Sequence, residues 1–208
     1  MYEHPLDPTS LIKLSKPETC DEHGNLLERR FSDRFRRATA FRDFLREFQE
    51  YLELKARFQQ PGIRLPLCEV RGIVQTDLGI GLVYERIANP DGRLAPTLKA
   101  LMKRGDIGQQ QISEIEDHFN FLMENRIVVS NFNSENIIYQ SDPDGSGRFI
   151  WIDSFGSKQF IPTRRWFKTL NDRKLRSIRD KCLEKMYEAM AKAETNLSAF
   201  SNAGAQLA

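Results

Sequence analysis

The chain has few cysteines and no long apolar run. Its three cysteines, Cys20, Cys68 and Cys182, are far apart and odd in number, which argues against a disulfide framework. No apolar stretch approaches the roughly 20 residues that a helix needs to cross a bilayer, and the N-terminus lacks the basic-then-apolar pattern of a signal peptide. From these absences we expect a single cytoplasmic domain without a membrane span.

Histidine is also scarce, with three in 208 residues. Cys20 and His23 have a CxxH spacing, but a zinc site needs four ligands, usually in two such pairs, and the sequence contains no second pair. His118 falls alone within a predicted helix, without a Cys, Ser or acidic partner in view. We therefore expect His23 and His118 to have structural roles.

Hydrophobic residues make up 40% of the chain, enough for one substantial core. Residues 2–14 resemble an extended arm that leads into a short strand carrying Lys13. Residues 31–58 contain no Gly or Pro and place apolar side chains at helical spacing, which predicts the longest helix of the chain. The segments 70–74 and 82–87 are predicted to form a hairpin across a Gly-containing loop.

The second half of the chain is predicted to be mainly helical. A short helix over 96–104 is stopped by Gly105, and an amphipathic helix covers 112–123. Residues 164–185 contain nine Lys and Arg but three Asp and Glu, which predicts a basic helix. Such a stripe is most often a solvated helix face, but it can also contact nucleic acid, an anionic membrane surface or an acidic partner. Residues 191–208 are low in charge and predict a frayed tail.

A stretch from residue 127 to 156 organises the rest of the sequence. Its apolar runs predict three strands, at 127–129, 137–139 and 149–152. An Asp-Pro-Asp-Gly turn joins the last two as a hairpin. Asn136 ends the polar loop before the second strand, and Asp153 closes the third, so their side chains should converge. Amide and carboxylate oxygens of this type suit Mg²⁺.

These residues resemble two motifs of protein kinases, the catalytic loop HRDxxxxN and the DFG that follows it. Aligned on Asn136, the chain reads VSN at residues 129–131 in place of HRD, and it keeps the five-residue spacing. DSFG at residues 153–156 resembles DFG with one residue inserted. The resemblance implies that Asn136 and Asp153 bind metal and that Asn131 occupies the position of the catalytic base.

More specifically, the whole chain resembles the PhoP regulatory network protein YrbL family, bacterial proteins with a small kinase-like fold. The resembling segments are SLIKL at 10–14, LREFQEY at 45–51, TDLGIGLVYERI at 76–87, NRIVVSNFNSENII at 125–138, and FIP with the following RRW at 160–166. Their order and spacing, more than any one of them, support membership of this family.

The fold that this resemblance implies is α+β, a small, truncated protein-kinase-like domain over residues 1–190. Its strand-rich N-lobe, about 1–88, contains one long helix, and its helical C-lobe, about 89–190, contains the catalytic-loop hairpin. The family's first strand and Gly-rich loop would precede Tyr2, so we expect both to be missing from this chain.

The resemblance also implies a nucleotide site with ATP and Mg²⁺ as cofactors. Lys13 corresponds to the kinase lysine that contacts nucleotide phosphates, and its alternative is a strand-edge lysine facing water. Glu47 corresponds to the glutamate that pairs with that lysine, and its alternative is a solvated charged face. Its rivals on the same helix are Glu50 and Glu53. Glu85 and Ile87 fall where a kinase hinge offers backbone groups to adenine.

Asn131 decides between the functional hypotheses, because an amide cannot act as the base that a working kinase supplies from Asp. General-base assistance is typically worth ~10²- to 10⁴-fold in rate. The preferred hypothesis is a pseudokinase-type regulatory module with weak or no phosphotransfer, which binds nucleotide or Mg²⁺ and acts with a protein partner that the sequence does not identify. The alternatives are an active atypical ATP-dependent phosphotransferase and an interaction protein whose basic C-terminal helix binds an anionic partner.

Overall fold

The computed structural model describes residues 1–14, 42–59, 64–129, 132–153 and 167–205. Helices and strands alternate irregularly along these residues, which confirms the predicted α+β class. The chain divides into two units, Met1–Ile87 and Ala88–Ala208, and each buries apolar side chains of its own.

The first unit contains a four-stranded antiparallel sheet with the order β1-β2-β4-β3. Its strands are β1 (Tyr2–Glu3), β2 (Ser10–Leu14), β3 (Val70–Thr76) and β4 (Gly79–Glu85). The predicted hairpin of β3 and β4 is confirmed, but its loop is shorter than expected. Thr76 pairs with Gly79, so only two residues form the turn, and Gly79 takes the positive φ of 111° there.

A hydrogen-bonded turn leads into β2 and explains where this strand begins. The Asp7 carboxylate accepts hydrogen bonds from the Thr9 N–H at 2.9 Å and from the Ser10 hydroxyl at 2.6 Å. The hydrogen bonds from Ser10 and Thr9 hold the pKa of Asp7 well below its usual range. Arg71 of β3 donates to the Thr9 carbonyl at 3.0 Å and so ties this turn to the far edge of the sheet.

The helix of the first unit is α1 (Arg42–Arg57). The predicted helix is confirmed over these residues, but its buried face differs from the predicted one. Tyr51 and Leu54 are buried, whereas Leu45 and Leu52, which the apolar spacing included, are exposed. Residues 31–41, which were predicted to belong to the same helix, lie outside the described part of the chain.

The second unit contains three helices and a two-stranded sheet within its described residues. They are α2 (Leu98–Arg104), α3 (Gln109–Glu124), β5 (Ile137–Ser141), β6 (Gly147–Trp151) and α4 (Lys168–Ala205). The predicted end of α2 is confirmed, and its start lies two residues later than predicted. The Thr97 hydroxyl accepts from the Ala100 N–H at its start, and Gly105 ends it in the left-handed conformation at φ 79°.

Two apolar helix faces build the core of this unit. The amphipathic pattern predicted for α3 is confirmed, with Ile112, Ile115, Phe119 and Leu122 fully buried. Along α4 the buried side chains also recur at helical spacing: Asn171, Leu175, Ile178, Cys182 and Met186. At 38 residues α4, not α1, is the longest described helix, and it includes residues 191–205, for which the composition predicts a frayed tail.

The first of the three predicted central strands, at residues 127–129, is not found as a strand of either described sheet. Residues 127–129 are buried, but they belong to neither described sheet. The Ile127 N–H donates to the Leu122 carbonyl at 2.9 Å, and the Ile127 carbonyl accepts from the Asn171 amide at 3.1 Å. Helices α3 and α4 thus satisfy the backbone groups of Ile127, the first residue of the run. The hairpin of the other two strands, β5 and β6, is confirmed.

Candidate functional site

The loop before β5 is short, polar and closed by its own hydrogen bonds. The Asn133 side-chain oxygen accepts from the Glu135 N–H at 3.0 Å, which forms the local turn expected of asparagine. The Asn133 carbonyl then accepts from the Asn136 N–H at 2.9 Å. These bonds hold the backbone of Asn136 in a defined position at the start of β5.

Asn136 and Asp153 lie at the same end of the hairpin. Ile137 pairs with Trp151 in the register of β5 and β6, and one step further the Ile152 N–H donates to the Asn136 carbonyl at 3.0 Å. Asp153 is the next residue along the chain. Both side chains are half-buried. The hairpin register therefore places Asn136 and Asp153 at the same end of the hairpin. That their side chains converge on one ion stays a prediction.

Helix α2 also forms hydrogen bonds with this loop. The Lys99 N–H donates to the Ser134 carbonyl at 3.1 Å, and the Lys99 ammonium bonds the Glu135 carboxylate at 2.5 Å. The hydrogen bond from Lys99 lowers the pKa of Glu135. Thr97 forms an isolated bridge with Ile138, so backbone contacts continue from α2 onto β5.

A buried hydrogen bond supports the other strand of the hairpin. The Trp151 indole N–H donates to His118 Nε2 at 2.5 Å. Burial lowers the pKa of His118 to about 4, although its hydrogen bond to the Phe149 backbone opposes that shift. The imidazole is therefore neutral near pH 7 and acts as an acceptor, which agrees with the predicted structural role. The partner Trp151, which is 33 residues away in sequence, was not predicted.

Lys13 lies on β2 opposite Leu82 of β4. Directly opposed residues of antiparallel strands point to the same face, so Lys13 shares its face with the buried Leu82 and Tyr84. Its ammonium stands 5.8 Å from the centroid of the Tyr84 ring, and its side chain is half-buried. This position differs from that of a lysine whose whole side chain faces water.

The glutamates predicted to pair with Lys13 all lie on α1. The structure describes the backbone of Glu47 but not its side chain. Of its two rivals, Glu50 is half-buried, and Glu53 accepts a hydrogen bond from Gln49 at 2.9 Å within the helix. The choice between the three glutamates stays a prediction.

The two predicted hinge residues differ in how their backbone is used. The Glu85 N–H donates to the Glu69 carbonyl at 2.9 Å, and the Glu85 carbonyl accepts a weak hydrogen bond from the Cys68 thiol at 3.5 Å. The structure assigns Ile87 no hydrogen bond among the described residues, and its side chain is buried. Of the two residues, Ile87 is the one without a described backbone hydrogen bond.

Part of the predicted site falls on residues that the structure does not describe. Asn131 lies outside the described residues, as do residues 154–156 of the DSFG motif, Cys20 and His23. Within the described ranges, no group of three or more His, Cys, Asp or Glu side chains is arranged to hold a metal ion. The same ranges contain no helix long and apolar enough to span a membrane.

The described elements define a mixed α+β protein in which the β5–β6 hairpin ends next to a tightly bonded loop. Residues 1–192 match the family described as PhoP regulatory network protein YrbL. The chain belongs to this family, which confirms the resemblance found in its sequence motifs.

Two curated relatives carry the name YrbL, one from Escherichia coli (strain K12) and one from Shigella flexneri. Each is 28% identical to this chain over 134 residues, which is 61% of this chain and 60% of the relative. The matched region therefore spans about 60% of the length of these proteins.

Proposed function

We propose that this chain is a kinase-like regulatory module of its family, a pseudokinase that binds a nucleotide and Mg²⁺ with weak or no phosphotransfer. In this proposal, Met1–Ile87 corresponds to a strand-rich kinase lobe and the second unit to a helical lobe. The observation that carries the proposal is the position of Asn136 and Asp153 at the same end of the β5–β6 hairpin, where the Ile152 N–H donates to the Asn136 carbonyl at 3.0 Å.

The residues present fit a magnesium ion. Asn136 supplies an amide oxygen and Asp153 a carboxylate, both half-buried at one hairpin end. Mg²⁺ typically takes one or two protein carboxylates and fills the rest of its shell with water and phosphate oxygens. A larger protein cluster is therefore not required. Bound there, the ion would supply charge that neutralises nucleotide phosphates.

Two features of the first unit support the nucleotide part of the proposal. Lys13 is held on a face with buried Leu82 and Tyr84, so its ammonium is positioned rather than left mobile, as a phosphate contact requires. In this proposal, the backbone of Ile87 contacts adenine. The strand carrying Lys13 pairs directly with the strand that leads to Ile87, as the proposed kinase-like lobe needs.

Weak phosphotransfer follows from Asn131. Aligned five residues before Asn136, it takes the place of the base but carries no charge. Positioning and metal charge would remain, whereas proton abstraction from an acceptor hydroxyl would not. Substantial ATP turnover by the wild-type chain would favour an active phosphotransferase instead.

Thermal melting with and without MgATP tests the proposal. A ligand that binds only the folded state, at roughly 100 times its Kd, raises the free energy of unfolding by about 2.7 kcal/mol. We expect MgATP to raise the Tm of the wild type by several degrees, and Asp153→Ala and Asn136→Ala to remove most of that shift.

Asp106→Ala is the matched control, because Asp106 is an exposed carboxylate of the same unit outside the proposed site. It should keep the full MgATP shift. A wild type that does not respond to MgATP, or an Asp153→Ala chain that responds fully, would contradict the proposed site.

A further inference from the structure

A basic groove lies in the second unit between α2 and the C-terminal half of α4. We name it the α2–α4 groove, and its volume is about 860 Å³. The charged side chains that line it are Lys99, Lys103, Arg104, Lys185, Glu188 and Lys192. Five cations thus face one carboxylate among the described lining residues.

Most of this positive charge is not neutralised by neighbouring groups. Lys99 is paired with Glu135, and Lys185 stands 5.4 Å from the centroid of the Phe132 ring. Lys103, Arg104 and Lys192 are exposed, and the described part of the chain offers none of them an ion pair. A concave surface lined by one sign of charge concentrates the potential and attracts groups of the opposite sign.

The first half of α4 gives a contrast. A second groove there, of about 820 Å³, is lined by Arg173, Arg176 and Lys181 together with Asp172, Asp180 and Glu184. Its described charges are balanced, although it falls within the stretch that the sequence marks as the basic helix. The net positive surface therefore lies along the second half of α4. Helix α2 contributes cations there that the count over residues 164–185 did not include.

The floor of the α2–α4 groove is apolar. It is formed by Met102, Ala189 and Ala193, with Gly105 at one end. A Cβ built on Gly105 would lie 3.0 Å from the Ala193 Cβ, so the two helices approach closely at that end and close the floor. An apolar floor between cationic rims matches an amphipathic segment with apolar side chains on one face and carboxylates beside them.

We propose that the α2–α4 groove binds an acidic amphipathic helix from a protein partner. The apolar face of that helix would lie on Met102, Ala189 and Ala193, and its carboxylates would pair with Lys103, Arg104 and Lys192. The described lining contains no aromatic ring on which nucleic-acid bases could stack.

Fluorescence anisotropy of a labelled peptide tests this proposal with the whole chain. The probe is a helical peptide of about 14 residues, four turns, with Leu at helical spacing on one face and Glu on the flanking positions. A scrambled peptide of equal composition is its control. We expect the ordered peptide to bind about tenfold or more tightly than the scrambled one, because only the former presents a single apolar face.

Two triple variants locate the binding. Lys103→Glu/Arg104→Glu/Lys192→Glu should weaken the ordered peptide by about tenfold or more, because three attractive pairs become repulsive. Arg173→Glu/Lys174→Glu/Arg176→Glu makes the same charge change on the exposed first half of α4 and should alter affinity by less than about twofold. Equal losses in both variants, or no loss in either, would overturn the proposal.

Acetylation of lysines read by mass spectrometry gives a second measurement on the unmutated chain. The peptide should protect Lys103 and Lys192, whereas Lys174 should stay reactive. Protection of Lys174 alone, or no protection, would overturn the proposal. This measurement does not depend on whether a triple variant folds. Tighter binding of a single-stranded oligonucleotide or of phosphatidylglycerol vesicles than of the peptide would also overturn it.

Discussion

Trp151 donates its indole N–H to His118 Nε2 across the second unit, and both side chains are buried. The acceptor nitrogen must be unprotonated for this bond to exist. Burial lowers the pKa of His118 to about 4, so the bond is present at neutral pH. The bond holds α3 against β6, two residues before Asp153, and thereby supports one of the two strands that form the candidate site.

This bond makes stability depend on pH in a defined window. The folded pKa of His118, about 4, lies below the ~6.5 of an exposed histidine, so the unfolded chain binds the proton more readily. The stabilisation is complete above pH ~6.5 and is lost as the pH falls towards the folded pKa. Urea unfolding should show a loss of about 2 kcal/mol from this residue between pH 7.5 and 5.

The variant His118→Gln removes the titrating group. The difference between its free energies of unfolding at pH 7.5 and pH 5 should be smaller than in the wild type by that amount. His4→Gln, a histidine of the other unit, is the control and should keep the wild-type difference. An unchanged pH dependence in His118→Gln would mean that the buried imidazole is not its source.

Gly81 is predicted to be intolerant of a side chain. A Cβ at this position would lie 2.6 Å from Ile12 Cγ2 and 2.9 Å from Leu14 Cδ2, and 3.3 Å from the Lys13 carbonyl. Since β2 and β4 cannot separate without losing their pairing, Gly81→Ala should cost about 1–3 kcal/mol of stability. Denaturant unfolding measures this cost.

Gly72 provides the matched control on the neighbouring strand. A Cβ there meets no heavy atom within 4 Å, so Gly72→Ala should be close to neutral or slightly stabilising. If both substitutions cost the same, close packing of β2 on β4 is not the reason for glycine at position 81.

Local sequence patterns predicted those helices and turns that are determined by residues close together in the sequence. The helical spacing from Ile112 to Leu122 located α3, Gly105 marked the end of α2, and the Asp-Pro-Asp-Gly turn located the β5–β6 hairpin. The same turn placed Asn136 and Asp153 at one end of the hairpin, because a hairpin register follows from its turn.

Contacts between distant parts of the chain were not predictable in this way. The run 127–129 has the composition of a strand, yet it belongs to neither described sheet, and the backbone of Ile127 bonds to Leu122 of α3 and Asn171 of α4. The Trp151–His118 bond and the α2–α4 groove likewise depend on packing between elements. No periodicity or motif records such tertiary pairings, because they are set by which helix faces meet after folding.

Asn171 is a buried polar residue whose loss should destabilise the second unit. Its amide donates to the Ile127 carbonyl at 3.1 Å, and an apolar replacement leaves that buried acceptor without its partner. Asn171→Leu should therefore cost about 1–3 kcal/mol in urea unfolding. Ser177→Ala, an exposed change on the same helix, should stay within about 0.5 kcal/mol of the wild type. Similar values for both variants would contradict the role of this bond.

Asn131 gives the sharpest functional prediction. In the proposed function it takes the place of a kinase base, and Asn136 and Asp153 supply the metal ligands. Asn131→Asp restores a carboxylate, and MgATP turnover should rise by about 10²- to 10⁴-fold over the wild type. Adding Asp153→Ala should abolish the gain. Asn133→Asp places the same charge in the same loop, where the side-chain oxygen already accepts from Glu135, and should give no gain. A rise in Asn133→Asp equal to that in Asn131→Asp would show that added charge, and not a base at position 131, produces the activity.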